Sequence, residues 1–355
     1  MIIYLKYNIF IKNKANSLKN LFIKFVLNIL MNEDRKGIAK KEKGEEEAKK
    51  DDEEEKQIKI ESLRKAGKIA QEVKKSIKPK IKVGAKALDI IEFTEVKIVE
   101  LGGLCAFPAN LSINNIAAHY TSPMRDDGLT LNEGDIVKMD IGVHVEGYIV
   151  DTAFTLSFND DEALKNIIQA TEVSVEAAKM MAKPGINTKE IGKKIESIVK
   201  GFKYNPIKEL GGHQIERWTV HGKKALPELG SQGGDVMEEG DVFGVEIFAS
   251  TGDGSVHLTN NSFIYELNAY SGRVPLRRKI SKQILGYINK NYKTLPFAER
   301  WLAKEFRMGI AFGIQELVRQ NKLQAHYVLA EKKGEFVAQS EETIIITEDG
   351  YEQLT

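Results

Sequence analysis

Cysteine is nearly absent from this chain, with Cys105 alone among 355 residues. A single cysteine excludes an internal disulfide, which suits a reducing compartment, and we expect a cytoplasmic protein. Cys105 lies in the segment GLCAFP with no evident base to activate it. We therefore interpret it as a small buried apolar residue rather than a nucleophile.

An excess of charge of either sign is also lacking. Lys and Arg total 52 against 51 for Asp and Glu, which gives a formal net charge of +1. No overall basic field therefore favours DNA or an anionic membrane as a partner. Hydrophobic residues at 42% and charged residues at 29% are typical of a globular protein.

A long uninterrupted apolar run is missing from residues 1–30, although this segment is apolar and rich in lysine. Lys and Asn interrupt it too often for a membrane span, and it lacks the cleavage site of a signal peptide. The alternatives are a peripheral amphipathic anchor and a start codon placed upstream of the true start, Met31; we favour the second. Residues 33–56 carry mixed charges and are expected to be solvated, disordered or loosely helical. Residues 1–56 thus form an N-terminal extension, and the folded part begins near Gln57.

Two parts of the chain follow one plan. Residues 60–100 and 161–201 each show helical spacing of apolar residues, a Lys-Pro break and a second helical stretch, followed by strand-like sequence rich in glycine. This repetition predicts a duplicated α+β fold with its functional site between the halves. Residues 272–330 depart from the plan and are mostly helical by period, so we expect an inserted subdomain there. Residues 57–271 and 331–355 then make up the main domain.

The segment KMDIGVHVEGYIVDTAF, residues 138–154, is typical of a β-hairpin with a turn near Glu146-Gly147. Each arm carries an aspartate among apolar residues, Asp140 and Asp151. With ten residues between them, we predict that they lie opposite each other on one face of the hairpin. Facing carboxylates repel unless they share a proton or a cation. A solvent-facing pair is the alternative, and the apolar neighbours disfavour it.

Further acids and imidazoles occupy apolar or glycine-flanked positions: His119, His213, His221, Glu246 and Glu341. Glu342 competes with Glu341, but strand alternation places the two side chains on opposite faces. Four carboxylates and a histidine suit two divalent cations better than one tetrahedral zinc. A pair of cations can activate a water and polarise a carbonyl group.

Five segments in order resemble methionine aminopeptidases of metallopeptidase family M24, specifically the type 2, archaeal-like form. They are FPANLSINNIAAHYTS, GDIVKMDIGVHVEGYIVDTAFT, GGHQIERWTVHGKKALP, EEGDVFGVEIFASTGDG and FVAQSEETI. The resemblance covers roughly residues 57–355. It implies the α+β pita-bread fold of creatinases and aminopeptidases, with pseudo-twofold duplicated halves and a small winged-helix-like insert. It also implies five metal ligands: Asp140, Asp151, His213, Glu246 and Glu341.

The activity implied by the resemblance is removal of the initiator methionine from nascent proteins whose second residue is small. Two divalent cations (Co, Mn, Fe or Zn) would activate the attacking water. His119 would contact the scissile amide or the new oxyanion, and His221 would contact the carbonyl oxygen. Either Glu246 or the network of the bridging water would pass the proton to the leaving amine. The expected substrate-binding residues are His119, His221, Phe107, Val220, Phe248 and Tyr327.

Two positions depart from the family pattern. The family usually has Phe-Glu-His-Thr where this chain has Ser340-Glu341-Glu342-Thr343, which predicts altered surroundings of the ligand or an altered metal preference. Ile264 replaces a histidine that is common in vertebrate relatives. The remaining histidines, His144, His257 and His326, are interpreted as structural or exposed.

The expected partners are the N-termini of nascent polypeptides, with the ribosome as a candidate; DNA and membranes are not expected, and a monomer is. One alternative is an X-Pro dipeptidase or aminopeptidase of the same fold, which the helical insert and the lack of a large folded N-terminal domain disfavour. The other is a non-catalytic pita-bread protein that binds ribosomes or RNA. Five intact ligand positions disfavour it.

Overall fold

The computed structural model describes residues 53–126, 128–268, 270–272 and 275–355. The interpretations of residues 1–30 and of most of the charged run concern residues 1–52 and lie outside this described part. The chain divides into two units, Met1–Ile60 and Glu61–Thr355, and residues 53–60 of the first are helical. Among the described residues, no helix combines the length and apolar composition needed to cross a bilayer.

Two helix pairs in the second unit are each interrupted by a proline, as the repeated plan predicts. Pro79 lies in a 3₁₀ turn, Lys78–Lys80, and Pro184 follows the third helix. Proline lacks a backbone N–H and cannot continue a helix, which explains both breaks. The helices are α1 (residues 61–77), α2 (Ala87–Glu100), α3 (Glu162–Met181), α4 (Thr188–Gly201), α5 (Lys279–Asn291), α6 (Glu299–Glu305) and α7 (Ile310–Arg319).

The strands form two sheets. They are β1 (Leu104–Cys105), β2 (Asn110–Ile113), β3 (Ile116–Ala118), β4 (Ile136–Val145), β5 (Tyr148–Ser157), β6 (Asn205–Pro206), β7 (Gly211–Ile215), β8 (Ala225–Pro227), β9 (Val242–Ser250), β10 (His257–Leu267), β11 (Phe297–Ala298), β12 (Leu323–Ala330), β13 (Val337–Ile346) and β14 (Tyr351–Gln353). The large sheet has the order β1-β4-β5-β13-β9-β7-β8, with β2 on β4, β6 on β9 and β14 on β13. The small sheet has the order β11-β10-β12-β3. The predicted α+β class is confirmed.

The core lies between the large sheet and the pair α3 and α4. In β9, Phe243, Val245 and Ile247 belong to the apolar cluster that includes both helices. Alternation along the strand therefore turns Gly244 and Glu246 to the opposite face. One face of the sheet is thus used for stability, which leaves the other available for polar side chains.

The segment between β10 and β12, with α5, β11, α6 and α7, has an apolar cluster that includes Ile288, Phe297 and Leu317. A buried ion pair joins it to the main sheet region. The Arg300 guanidinium donates two hydrogen bonds to Glu95 of α2, one of them at 2.7 Å. Glu95 also accepts a 3.3 Å hydrogen bond from the Ala109 backbone N–H. Breaking a buried ion pair is strongly unfavourable, because it leaves an uncompensated charge in the interior. The Arg300–Glu95 pair therefore holds the helical segment against the chain around Ala109.

Candidate metal centre

The large sheet places the five predicted ligands on five neighbouring strands. Asp140 of β4 pairs with Ala153 of β5, which also pairs with Glu341 of β13; Glu341 in turn pairs with Glu246 of β9. Paired residues of antiparallel strands project to the same face. The three carboxylates therefore form one line across the sheet, which we call the first row.

Two more side chains form a second row. Asp151 of β5 pairs with Gly142, two residues beyond Asp140, and His213 of β7 pairs with Gly244, two residues before Glu246. Steps of two along a strand keep the same face. Asp151 and His213 consequently lie beside the first row on the side of the sheet away from α3 and α4.

The predicted register of the hairpin was wrong by two residues. The turn contains Glu146 and Gly147, both at positive φ (54° and 85°), so Val145 pairs with Tyr148. Counting from this turn, Asp140 faces Ala153 rather than Asp151. The two aspartates are diagonal neighbours on one face, a separation at which carboxylates still interact.

Two glycines leave space beside the two rows of ligand side chains. A Cβ atom on Gly244 would lie 2.6 Å from Oε1 of Glu341, and one on Gly142 would lie 2.2 Å from the ring of Phe107. Real Cβ atoms do not approach other atoms this closely. Glycine at these positions therefore leaves room for a ligand carboxylate and for the aromatic wall beside it.

Two threonine hydroxyls hold β5 and β13 together on either side of the Glu341–Ala153 pair. The Thr343 hydroxyl donates to the carbonyl of Asp151 and accepts from its N–H, both at 2.7 Å. The Thr155 hydroxyl makes the same two contacts with Gln339, at 2.6 and 2.9 Å. These bonds satisfy buried backbone groups and fix the register in which Asp151 and Glu341 meet.

The ligand atoms converge in two groups that share Glu341. Those of Asp151, His213 and Glu341 lie within 4.8 Å of one another, and so do those of Asp140, Glu246 and Glu341. Within the described part of the chain, several buried atoms here have no hydrogen-bond partner: Asp140 Oδ1, Asp151 Oδ1, Glu341 Oε1 and His213 Nδ1. Unpartnered buried polar atoms are rare in folded proteins. Four carboxylates and an imidazole in this arrangement fit divalent cations, and Glu341 would be available to both groups.

Burial dominates the protonation equilibria of these groups. It raises the pKa of Asp140 to about 6. Burial, reinforced by neighbouring carboxylates, also raises the pKa values of Asp151, Glu246 and Glu341 well above their ordinary range. Burial lowers the pKa of His213 to about 4, so its imidazole is neutral and able to bind a cation at pH 7.

These shifts predict how the stability of the metal-free protein depends on pH. A carboxyl whose pKa is higher in the folded state binds more protons there, so stability decreases as pH rises from about 4, the unfolded value. For Asp140 the loss is complete above about pH 6. We expect the Tm difference between metal-loaded and chelated protein to increase from pH 5 to pH 7.5, measured by calorimetry. A difference that shrinks with pH would contradict the site.

A cavity of about 630 Å³ opens onto this centre. It contains both predicted non-ligand histidines, His119 and His221. His119 Nδ1 lies 3.1 Å from the Tyr327 carbonyl oxygen, which can only accept, so Nδ1 carries the proton and Nε2 is the acceptor. Burial lowers the pKa of His119 to about 4. His119 also has a positive φ of 66°, a strained conformation for a residue with a side chain.

His221 also lines the cavity, with its ring centroid 4.3 Å from that of His213. Its surface is open to the cavity, yet the surrounding protein and the nearby imidazoles hold its pKa well below the usual value. His119 and His221 are therefore both neutral at pH 7. A neutral imidazole offers one donor and one acceptor for a substrate.

Three of the four predicted side-chain pocket residues line the cavity: Phe107, Val220 and Phe248. Tyr327, the fourth of them, is placed differently. Its side chain is 41% exposed and does not line the cavity, because alternation along β12 turns the neighbouring His326 inward instead.

The sequence interpretation missed two residues of the site. His326 lines the cavity and packs edge-to-face against His119, with ring centroids 5.5 Å apart. Gln339 donates a 2.7 Å hydrogen bond to Oε1 of Glu246 and so orients that carboxylate. Its position two residues before Glu341, on the same face of β13, was the available signal. His144 is buried against Trp218, and His257 is exposed.

Glu342 lies on the opposite face of β13 from Glu341. It accepts a hydrogen bond from Lys179 of α3, whose side chain is buried and also donates to Glu176 at 2.7 Å and to Gln353 at 3.0 Å. The additional acid is therefore paired with a cation in the helix-facing layer. It does not add a carboxylate to the metal centre.

Comparison with known proteins gives consistent results. The profile of metallopeptidase family M24 matches residues 61–266. A methionine aminopeptidase of Thermococcus kodakarensis is 42% identical over 292 residues, covering 82% of this chain and 97% of that one. A methionine aminopeptidase of Methanothermobacter thermautotrophicus is 36% identical over 298 residues, covering 83% and 98%.

Solved structures share the fold at lower identity. A thermophilic Arx1 matches with a TM-score of 0.74 and 21% identity, covering 83% of this chain and 90% of that one. A methionine aminopeptidase of Thermotoga maritima matches with a TM-score of 0.60 and 23% identity, covering 84% and 96%. At such identities the likeness concerns the fold alone.

Proposed function

The chain belongs to metallopeptidase family M24, and we propose that it acts as a methionine aminopeptidase through the centre on β4, β5, β7, β9 and β13. The predicted pita-bread fold is confirmed by the family match and the related structures. One observation carries the proposal: five ligand-type residues converge around Glu341 at the end of a cavity. The near-complete coverage of the archaeal relatives supports the same activity.

The proposed ligands are Asp140, Asp151, His213, Glu246 and Glu341, holding two divalent cations such as Co, Mn, Fe or Zn. Cations bound there would supply an activated water and an electrophile for the peptide carbonyl. Gln339 donates a hydrogen bond to the Glu246 carboxylate, which would accept and pass on a proton.

The cavity histidines are proposed to bind the peptide group. His119, with its proton on Nδ1, presents Nε2 as an acceptor for the N–H of the scissile amide. His221 would donate to the carbonyl oxygen, where negative charge develops in the transition state. Phe107, Val220 and Phe248 would surround the apolar methionine side chain and exclude water from it.

Measuring the methionine released from short peptides tests this function directly. We expect Met-Ala-Ser to be hydrolysed after the first residue, and faster than an Ala-Pro peptide, by protein supplied with divalent cations. A preference for the Ala-Pro peptide would instead indicate an X-Pro peptidase of the same fold. Absence of turnover on either peptide across the four metals would favour a non-catalytic protein.

Nascent polypeptides are the proposed physiological substrates, and the ribosome is a proposed neighbour during the reaction. We also propose the domain boundaries inferred from the sequence, with residues 272–330 as a helical insert subdomain of the type 2 class. The separate apolar cluster of α5, α6 and α7 supports this division. A monomeric state is part of the same proposal.

A further inference from the structure

A polar patch lies in the cavity on the small sheet, outside the metal centre. Ile264 of β10 pairs with His326 of β12, and Glu266 pairs with Gln324. Paired residues and residues two apart share a face, and all four side chains line the cavity. Ile264 is buried, whereas Gln324 is exposed, so the patch extends from the interior towards the mouth.

Glu266 has acceptor capacity that the described part of the chain does not use. Its ionisable neighbour on the patch is His326, whose Nε2 lies 3.3 Å from Oε2 without the alignment of a hydrogen bond. The side chain is 27% exposed. A carboxylate that faces a cavity with an incomplete set of donors attracts a cation or a donor from the ligand.

Glu209 lines the same cavity and provides a contrast. It accepts from the Ser255 hydroxyl at 2.9 Å and from the Val256 N–H at 3.1 Å. Lys208 lies 3.4 Å from it. The Glu209 carboxylate therefore already has hydrogen-bond donors from the protein. Lys208, which also lines the cavity, already lies close to this carboxylate.

The patch adjoins the proposed position of the scissile bond. His326 contacts the ring of His119, and the carbonyl of the next residue, Tyr327, lies beside His119 Nδ1. A substrate of an aminopeptidase enters with its N-terminus first, so the residues after the scissile bond lie nearer the mouth. In an extended peptide, the third residue is about 7 Å beyond the first. We therefore expect its side chain to lie near the patch.

We propose that Glu266 is a specificity-determining residue that favours substrates with Lys or Arg as the third residue and disfavours those with Asp or Glu. This inference rests on the proposed function. The Glu266 carboxylate would attract a positively charged third residue and repel a negatively charged one. Both effects increase the difference in kcat/KM between the two kinds of substrate. Because the carboxylate is partly exposed, we expect a ratio of about tenfold in kcat/KM between the lysine and glutamate peptides.

The test compares Met-Ala-Lys, Met-Ala-Gln and Met-Ala-Glu peptides with the metal-loaded full chain. In Glu266→Gln we expect the Lys-to-Glu ratio to fall to about one, while kcat/KM for the Gln peptide stays within a few-fold. The matched control Glu209→Gln should keep the wild-type ratio. An unchanged ratio in Glu266→Gln would overturn the proposal, as would a wild-type ratio near one.

Salt dependence of the wild type provides a second measurement that needs no variant. The ratio should fall as salt increases from about 0.1 M to about 1 M, because the Debye length shortens from about 10 Å to about 3 Å. A salt-independent ratio would contradict a charge-based preference. Failure to release methionine from all three peptides would instead contradict the proposed function, so the two failures are distinguishable.

Discussion

Glu341→Gln is expected to lower kcat/KM for a Met-Ala peptide by about 10²–10³-fold, the usual cost of losing a single electrostatic contact to a transition state. The change removes the one carboxylate shared by both ligand groups. It should also reduce the metal bound per chain, measured by elemental analysis. In the absence of metal the variant should be more resistant to heat than the wild type, because one member of a repelling buried cluster is neutral.

The neighbouring glutamate supplies the control for this variant. Glu342→Gln makes the same chemical change one residue further along β13, on the face that packs against α3. We expect it to keep the metal content and to change kcat/KM by no more than a few-fold. Activity of Glu341→Gln within tenfold of wild type, or equal losses in the two variants, would refute the assignment of the shared ligand.

His221→Asn is expected to lower kcat by about 10²–10³-fold, the usual cost of removing a donor that stabilises a developing oxyanion. Metal content should remain at the wild-type level, because the imidazole belongs to the cavity wall and not to either ligand group. KM should change little if the contact forms mainly in the transition state. Steady-state kinetics and elemental analysis of the same preparation separate these effects.

The matched control for this histidine is His257→Asn, at the exposed start of β10. It should behave as wild type in both measurements. A loss of kcat accompanied by loss of metal in His221→Asn would mean that the residue supports His213 rather than the substrate. A kcat within threefold of wild type would exclude a direct role in the reaction.

The sequence allowed the acidic residues of the site to be identified, because an acid within an alternating, largely apolar strand is unusual. Asp140, Asp151 and Glu246 all interrupt apolar strands, and the structure brings them together. Their exact pairing was not accessible, since the register of a hairpin depends on which two residues adopt positive φ. Shifting the turn by one residue moves each cross-strand partner by two.

The small sheet was harder to predict for a different reason. The pairing of β10 and β12 contains irregularities between Leu258 and Ser262 and between Ser262 and Ile264. Such shifts change which residues of the partner strand lie opposite, and no local pattern in β12 reports them. Tyr327 was assigned from the family resemblance, and a displacement of that match by one residue would exchange it for the adjacent His326, which lines the cavity. Contacts such as Gln339 with Glu246 join residues 93 positions apart and require the assembled sheet.

The order of strands in the large sheet has a consequence for biosynthesis. β13 lies between β5 and β9, yet it is translated after both. The 95 residues from Glu246 to Glu341 take about 5–20 s to synthesise at about 5–20 residues per second. During that interval β5 and β9 lack their central partner, and unpaired strand edges promote association with other chains. A newly made molecule should therefore depend on chaperones most strongly just before β13 emerges, and it becomes competent to process other nascent chains only after that strand is inserted.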